Sequence, residues 1–194
     1  AADVGVDGAA AGVITFADHP RPELGAALAR LDRLGIREVH LLSGDHTANA
    51  LALAAEAGIT RVEGDLLPQD KAARIRDLTA AGRRVLMVGD GTNDAPALSA
   101  AAVGVALGGL GSGGIAAEAA DVVLLADDLG RIPEAVAIGR ETMRVARQSI
   151  LAGLGLSAAG MVFAALGHLP PTAGAVAQEA IDLAVILNAL RAAR

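Results

Sequence analysis

Up to Arg147, short apolar runs alternate with longer stretches of helical period. The runs at 12–16, 38–42, 61–63, 85–88, 103–106 and 121–125 read as strands. The stretches at 22–34, 47–57, 68–81, 94–101 and 133–147 read as helices. In the first of these, Leu24, Leu28 and Leu31 fall on one face, the pattern of a helix packed on a core. Pro22 opens it and Gly35 follows it, as helix ends prefer. Strand and helix in alternation predict an α/β fold with a doubly wound, mostly parallel sheet. Residues 108–114 hold five glycines in seven and read as a mobile loop inside that domain.

The pattern changes after Arg147. From Gln148 to Gln178 no residue carries a fixed charge, and only His168 can titrate. Residues 150–169 give 20 apolar or small positions, enough to cross the ~30 Å hydrocarbon core at about 1.5 Å per residue. Pro170-Pro171-Thr172 is a turn, and 173–190 is a second span of 18 residues. Arg144 and Arg147 precede the pair, and Arg191 and Arg194 follow it. The positive-inside rule then puts both ends in the cytoplasm and the turn outside.

Composition narrows the class. Apolar residues make up 53% of 194, yet the aromatics are two Phe, so close packing falls to Ala and Gly. The whole net charge of −6 lies on residues 1–148. An acidic soluble part without aromatic platforms argues against nucleic-acid binding. There is no Cys, so this chain supplies neither disulfides nor thiolate ligands. Residues 1–12 lack the basic start and apolar stretch of a signal peptide.

The densest chemistry is Gly89-Asp90-Gly91-Thr92-Asn93-Asp94-Ala95-Pro96-Ala97-Leu98, which follows the apolar run 85–88 and leads into an Ala-rich helix. Gly89 and Gly91 permit a sharp turn and close approach of a ligand. Asp90 and Asp94 sit at the C-terminal edge of a strand, where open α/β sheets bind ligands. Two hard carboxylates there suit Mg²⁺. Lys71 is the one Lys among sixteen basic residues, a compact charge where the chain elsewhere uses Arg. In the second span, Gln178, Glu179 and Asp182 fall within one arc of about 100° and can line one ion pathway. Carboxylates at membrane depth cost roughly 2.5–3.5 kcal/mol each on insertion scales, which marks them as functional candidates.

The 89–98 run resembles the hinge motif of P-type ATPases, a branch of the haloacid-dehalogenase-like phosphotransferases. Other segments resemble the family in the same order. Gly12-Val13-Ile14-Thr15-Phe16-Ala17-Asp18 with Arg21-Pro22-Glu23 resembles the strand and helix start after the nucleotide-binding insertion. Leu41-Leu42-Ser43-Gly44-Asp45 resembles Thr-Gly-Asp, with Ser for Thr, and Pro68-Gln69-Asp70-Lys71 resembles Pro-x-x-Lys. Glu118-Ala119-Ala120-Asp121-Val122-Val123-Leu124 resembles the approach to the last cytoplasmic strand, and Asn188-Ala189-Leu190-Arg191 the end of the last membrane helix in heavy-metal-transporting members.

The resemblance implies roles. Asp90 would hold Mg²⁺ with Asp94 in support; Lys71 and Ser43 would hold phosphoryl oxygens; Asn93 would help position them. Gly44, Asp45, Gly89 and Gly91 would shape the site for ATP and its phosphoryl group in the complete enzyme. The phosphorylated Asp of Asp-Lys-Thr-Gly-Thr has no counterpart here, and Asp18 is followed by His19-Pro20-Arg21. The chain begins at Ala1, as a fragment or truncated gene product would. The expected organisation is an incomplete phosphorylation domain at 1–128, a stalk helix at 129–148 and a transmembrane hairpin at 149–194. The expected function is the C-terminal portion of an ATP-driven heavy-metal cation pump, multi-pass in the plasma membrane with the α/β part cytoplasmic. The expected partners are lipid, a divalent metal cation and the missing N-terminal part, and the chain alone should be inactive. Cu(I), which prefers sulfur ligands, fits the oxygen-bearing Gln178-Glu179-Ala180 poorly. The alternatives are a non-catalytic module that needs a partner, and a small phosphatase of the same superfamily.

Overall fold

The structure is a computed structural model that describes residues 2–6, 9–14, 19–89, 92–108 and 114–193. The chain divides into a unit of residues 1–132 and a unit of residues 133–194.

The first unit opens with an antiparallel pair, β1 (Ala2–Val6) and β2 (Ala9–Ile14), whose register shifts between Val4 and Gly5. The sequence pattern had placed one strand at 12–16 and no hairpin. The overlooked signal is Asp7-Gly8, a dipeptide typical of two-residue hairpin turns. Residues 15–18, with Asp18, lie outside the described residues.

The remaining strands are parallel, each pair joined through a helix. After α1 (Leu24–Arg33) comes β3 (His40–Leu42), then α2 (Thr47–Ala57) and β4 (Arg61–Glu63), which pairs with β3. After α3 (Pro68–Ala80) comes a three-stranded sheet of β5 (Leu86–Gly89), β6 (Val103–Leu107) and β7 (Val122–Leu124), with β6 in the middle. A 3-10 turn at Thr92–Asp94 and α4 (Ala95–Ala100) join β5 to β6. The short α5 (Gly114–Ala119) joins β6 to β7; it begins where the glycine-rich loop was expected to end. The parallel α/β expectation holds; among the described residues the parallel strands fall into a β3–β4 ladder and a β5–β6–β7 ladder.

Leu98 of α4 and Ala106 of β6 form the buried centre, with Met87, Ala119, Ala120 and Val123 against them. Gly104 is where β6 passes under α4, since a Cβ there would stand 2.8 Å from the Leu98 carbonyl oxygen. Asp121 fastens the next strand to this point: Gly104 N–H donates to Asp121 Oδ2 at 2.8 Å, and Asp121 N–H donates to Gly104 O at 2.9 Å. The acidic end of the 118–121 run is thus a sheet fastener.

The second unit is two long helices packed together. Helix α6 runs without a break across Arg131–Ala165, so the expected stalk and first span are one helix about 52 Å long. It stops in a Schellman motif: Gly167 takes φ 77°, His168 N–H donates to Phe163 O, and Gly167 N–H donates to Ala164 O. Helix α7 spans Pro171–Ala189, with Pro171 in its first turn. Among the described helices, α6 alone is long and apolar enough to cross a membrane by length and composition.

The seam between α6 and α7 is small and polar. A Cβ on Gly153 would stand 3.0 Å from Val185 Cγ2, so glycine sets the spacing there. Asn188 Nδ2 donates to Ser149 Oγ at 2.8 Å, and Ser157 Oγ donates to Gln178 Oε1 at 3.1 Å. Small residues and hydroxyl or amide hydrogen bonds are how helices associate where lipid removes the hydrophobic drive between them.

Candidate phosphoryl site and its family

Three loops at the C-terminal ends of strands carry the motif residues. The β5 loop begins with Gly89, which stands against Asp94. A Cβ on Gly89 would come within 2.7 Å of Asp94 Cβ and 2.8 Å of Asp94 Oδ2. Asp94 closes the 3-10 turn and is buried, with its side chain 12% exposed. Lys71, in the first turn of α3, reaches it: Nζ lies 2.9 Å from Asp94 Oδ1. A carboxylate so shielded from water needs a hydrogen-bonded opposite charge, and the only Lys of the chain supplies it.

Helix α3 is held at two points near Lys71. Leu67 N–H donates to Asp70 Oδ2 at 3.0 Å, capping its start. One turn after Lys71, Arg74 Nε lies 2.6 Å from Glu63 Oε1 at the end of β4. The lysine therefore projects from a helix end tied to the neighbouring strand.

The β3 loop carries Ser43, Gly44 and Asp45. Ser43 N–H donates to Glu63 O at 2.9 Å, which continues the β3–β4 ladder. Its hydroxyl donates to Asp45 Oδ2 at 3.2 Å and accepts from Asp45 N–H at 3.1 Å. Gly44 passes close to the β4 loop, with a Cβ position 3.3 Å from Leu66 O. Among the described residues, no hydrogen bond joins this loop directly to Lys71 or Asp94. Asn93 is exposed, and Asp90 and Gly91 lie outside the described residues.

Of the two carboxylates the sequence offered to Mg²⁺, only Asp94 is among the described residues. It offers a buried carboxylate at a strand end, with a glycine opposite in the space a side chain would fill. Among the described residues, no three His, Asp or Glu side chains converge as a metal site.

In the second unit, Gln178 Nε2 donates to Asp182 Oδ1 at 3.1 Å while its Oε1 accepts from Ser157. Gln178 and Asp182 thus lie together, one turn apart. Glu179 is exposed and joins neither through a hydrogen bond. Sequence reading missed Asp65, just after β4, which accepts from Thr47 N–H at 2.9 Å and Thr47 Oγ1 at 2.7 Å. Its available signal was Gly64-Asp65, two turn-forming residues between a strand and the helix-opening Pro68.

A family model described as a haloacid dehalogenase-like hydrolase matches residues 1–102. The chain belongs to the haloacid dehalogenase-like hydrolases. Within them it is a portion of a heavy-metal P-type ATPase, as similarity over nearly its whole length shows. It is 42% identical over 188 residues to a copper-exporting P-type ATPase of Bacillus subtilis (strain 168), covering 97% of this chain and 23% of the relative. It is 40% identical over 189 residues to a manganese-exporting P-type ATPase of Mycobacterium leprae (strain TN), covering 97% of this chain and 26% of the relative. The crystal structure of a zinc-transporting PIB-type ATPase in the E2.Pi state superposes with a TM-score of 0.86 at 33% identity, covering 97% of this chain and 30% of that one. The chain thus spans about a quarter of the length of the curated ATPases it matches.

Proposed function

We propose that this portion of the ATPase holds and neutralises the transferring phosphoryl group during metal-cation transport, with the nucleophilic Asp supplied from outside the chain. The observation that carries the reading is the shielded Lys71–Asp94 pair against Gly89 at the end of β5. In phosphoryl transfer, positioning and charge neutralisation supply nearly all of the catalysis. Lys71 donates to phosphoryl oxygens, and Asp94 fixes the direction of its ammonium. The Ser43 hydroxyl gives a second donor and Asn93 a third, while Gly44 and Asp45 shape the β3 loop. Gly89 leaves the backbone bare opposite Asp94. Asp90 would hold Mg²⁺, with Asp94 in support. Mg²⁺, when bound, neutralises charge on the phosphoryl oxygens of ATP.

The second unit contributes membrane passage. Helix α6 crosses, α7 returns, and Arg144, Arg147, Arg191 and Arg194 keep both ends cytoplasmic. Gln178, Glu179 and Asp182 offer oxygen ligands to a divalent cation. Relatives of nearly equal identity export copper in one case and manganese in another, so overall similarity does not sort the metal. The local oxygen ligands favour a dication over Cu(I).

The test is phosphoenzyme formation in the full-length ATPase. Lys71→Met should lower it by about 10²–10³-fold, the usual loss for one preorganised donor. Lys71→Arg keeps the charge and the pairing with Asp94 but should still lose at least about tenfold, because a planar guanidinium places its donors differently. Wild-type labelling in both variants would remove Lys71 from the site.

A further inference from the structure

Asp65 is the only non-glycine residue among those described with positive φ, at 55°. Such a backbone conformation persists only where surrounding contacts over-determine it. Those contacts are present. Asp65 Oδ2 accepts from Thr47 N–H at 2.9 Å and from Thr47 Oγ1 at 2.7 Å. Its Oδ1 lies 2.9 Å from His46 Nδ1. Its own N–H donates to Asp45 O at 2.7 Å, and the next residue, Leu66, donates N–H to Ser43 O at 3.1 Å. The backbones also pack closely, since a Cβ on Gly64 would stand 2.5 Å from Thr47 Cα.

The two loops are therefore clasped together. His46, at the N-cap of α2, makes no side-chain cap, and Asp65 caps that helix from the neighbouring loop instead. Ser43 and Asp45 are bonded through their carbonyls to the same short segment, whose far end is Lys71. Only Leu66 to Asp70 separate Asp65 from Lys71, and Asp70 pins the start of α3 there.

We propose that Asp65 is a positioning residue: it clasps the Ser43–Asp45 loop to the segment that leads into α3, and so sets the Ser43 hydroxyl relative to the Lys71 ammonium. This rests on the reading that Ser43 and Lys71 hold phosphoryl oxygens. Asp65 touches no phosphoryl group itself. A misplacement on the order of 1 Å is enough to cost about 10²-fold in such a site.

The experiment uses the full-length ATPase, with inorganic phosphate and orthovanadate as probes and nucleotide binding as a control. Asp65→Gly removes the carboxylate while accepting the positive φ without strain, so the loop is not forced open sterically. It should weaken binding of both probes by about ten- to a hundredfold and leave nucleotide affinity unchanged. Asp65→Asn keeps an acceptor oxygen for Thr47 and tolerates this backbone, and should restore most of the affinity. Thr47→Ala should shift it in the same direction as Asp65→Gly but less. If Asp65→Gly binds both probes like wild type while Lys71→Met loses them, the clasp is structural and the proposal fails alone. If Lys71→Met also binds them like wild type, the underlying reading fails and takes the proposal with it. Parallel losses of phosphate and nucleotide affinity in Asp65→Gly, without rescue by Asp65→Asn, would mean general damage and overturn the positioning role.

Discussion

Gly89 and Asp94 are so close that neither can grow. Adding one methyl at Gly89 puts a carbon 2.7 Å from Asp94 Cβ, well inside contact distance. Asp94 must move or the strand end must shift. Overpacking of this kind costs about 1–3 kcal/mol, and here it also turns the carboxylate away from Lys71. Gly89→Ala should therefore fold with a lowered melting temperature and lose phosphoenzyme formation out of proportion to that loss. Full activity would show that the Asp94 position is not critical. A second residue-scale prediction concerns Glu38. The hydrogen bond from His40 holds its carboxyl below the ordinary value; burial opposes this, and Arg61 and Arg83 help. A carboxyl with lowered folded pKa stabilises the fold above its unfolded value, near 4.5. That contribution fades as pH falls through the folded value. In detergent, the full chain should melt higher than Glu38→Gln at pH 7, and the gap should close in acid below about pH 4.5. A constant gap across that range would mean Glu38 acts through packing rather than charge.

At the scale of elements, the α6–α7 seam depends on one absent side chain and two polar bridges. Gly153 meets Val185 at the closest point, so Gly153→Leu has nowhere to place four carbons. The helices should separate or slide, and a cysteine pair bridging the seam in the parent should no longer crosslink. Asn188→Ala is milder. It leaves the buried Ser149 hydroxyl without its donor, a loss of about 0.6–2 kcal/mol for an interhelical hydrogen bond in a membrane. If Gly153→Leu crosslinks as efficiently as the parent, the seam is not what holds the pair. The helix ends are more tolerant, since the Schellman turn at Gly167 needs only a residue that accepts φ 77°.

For the whole molecule, the prediction follows from what the sequence does not contain. The sequence holds no Asp-Lys-Thr-Gly-Thr, the motif whose Asp accepts the phosphoryl group in the family it resembles. Incubated with γ-labelled ATP and Mg²⁺ and quenched in acid, it should carry no label. Label that disappears in Asp18→Asn would identify Asp18 as an acceptor after all. Topology offers an independent check, with reporters after Arg147, at Thr172 and after Arg194 expected to read inside, outside and inside. If Glu179 and Asp182 serve a divalent cation as proposed, Glu179→Gln and Asp182→Asn in the full-length pump should each weaken its activation at least about tenfold, the lower end for groups that support a bound metal. Unchanged activation across Zn²⁺, Co²⁺, Ni²⁺, Cd²⁺ and Cu⁺ would place the pathway elsewhere.

Local chemistry made much of this legible before any coordinates. Helical period placed α1, α2, α3 and the start of α6, apolar runs placed most strands, and an uncharged run of spanning length placed the rest of α6 and α7, because burial is a local demand on the sequence. The 47–57 helix was read to the residue, since Gly58 ends it in the left-handed conformation. The family was legible for a related reason: Ser43-Gly44-Asp45, Pro68-Gln69-Asp70-Lys71 and the 89–98 run keep the residue types and order of the family they resemble. What the letters could not carry was distance between segments far apart in the chain. Lys71 and Asp94 are 23 residues apart, and only the packing of α3 beside the 3-10 turn brings them to 2.9 Å. Asp65 went unread in the sequence, because only the pairing of β3 with β4 puts it over the start of α2. Hydrophobic period states that a face is buried; which neighbour buries it is decided only when the chain closes on itself.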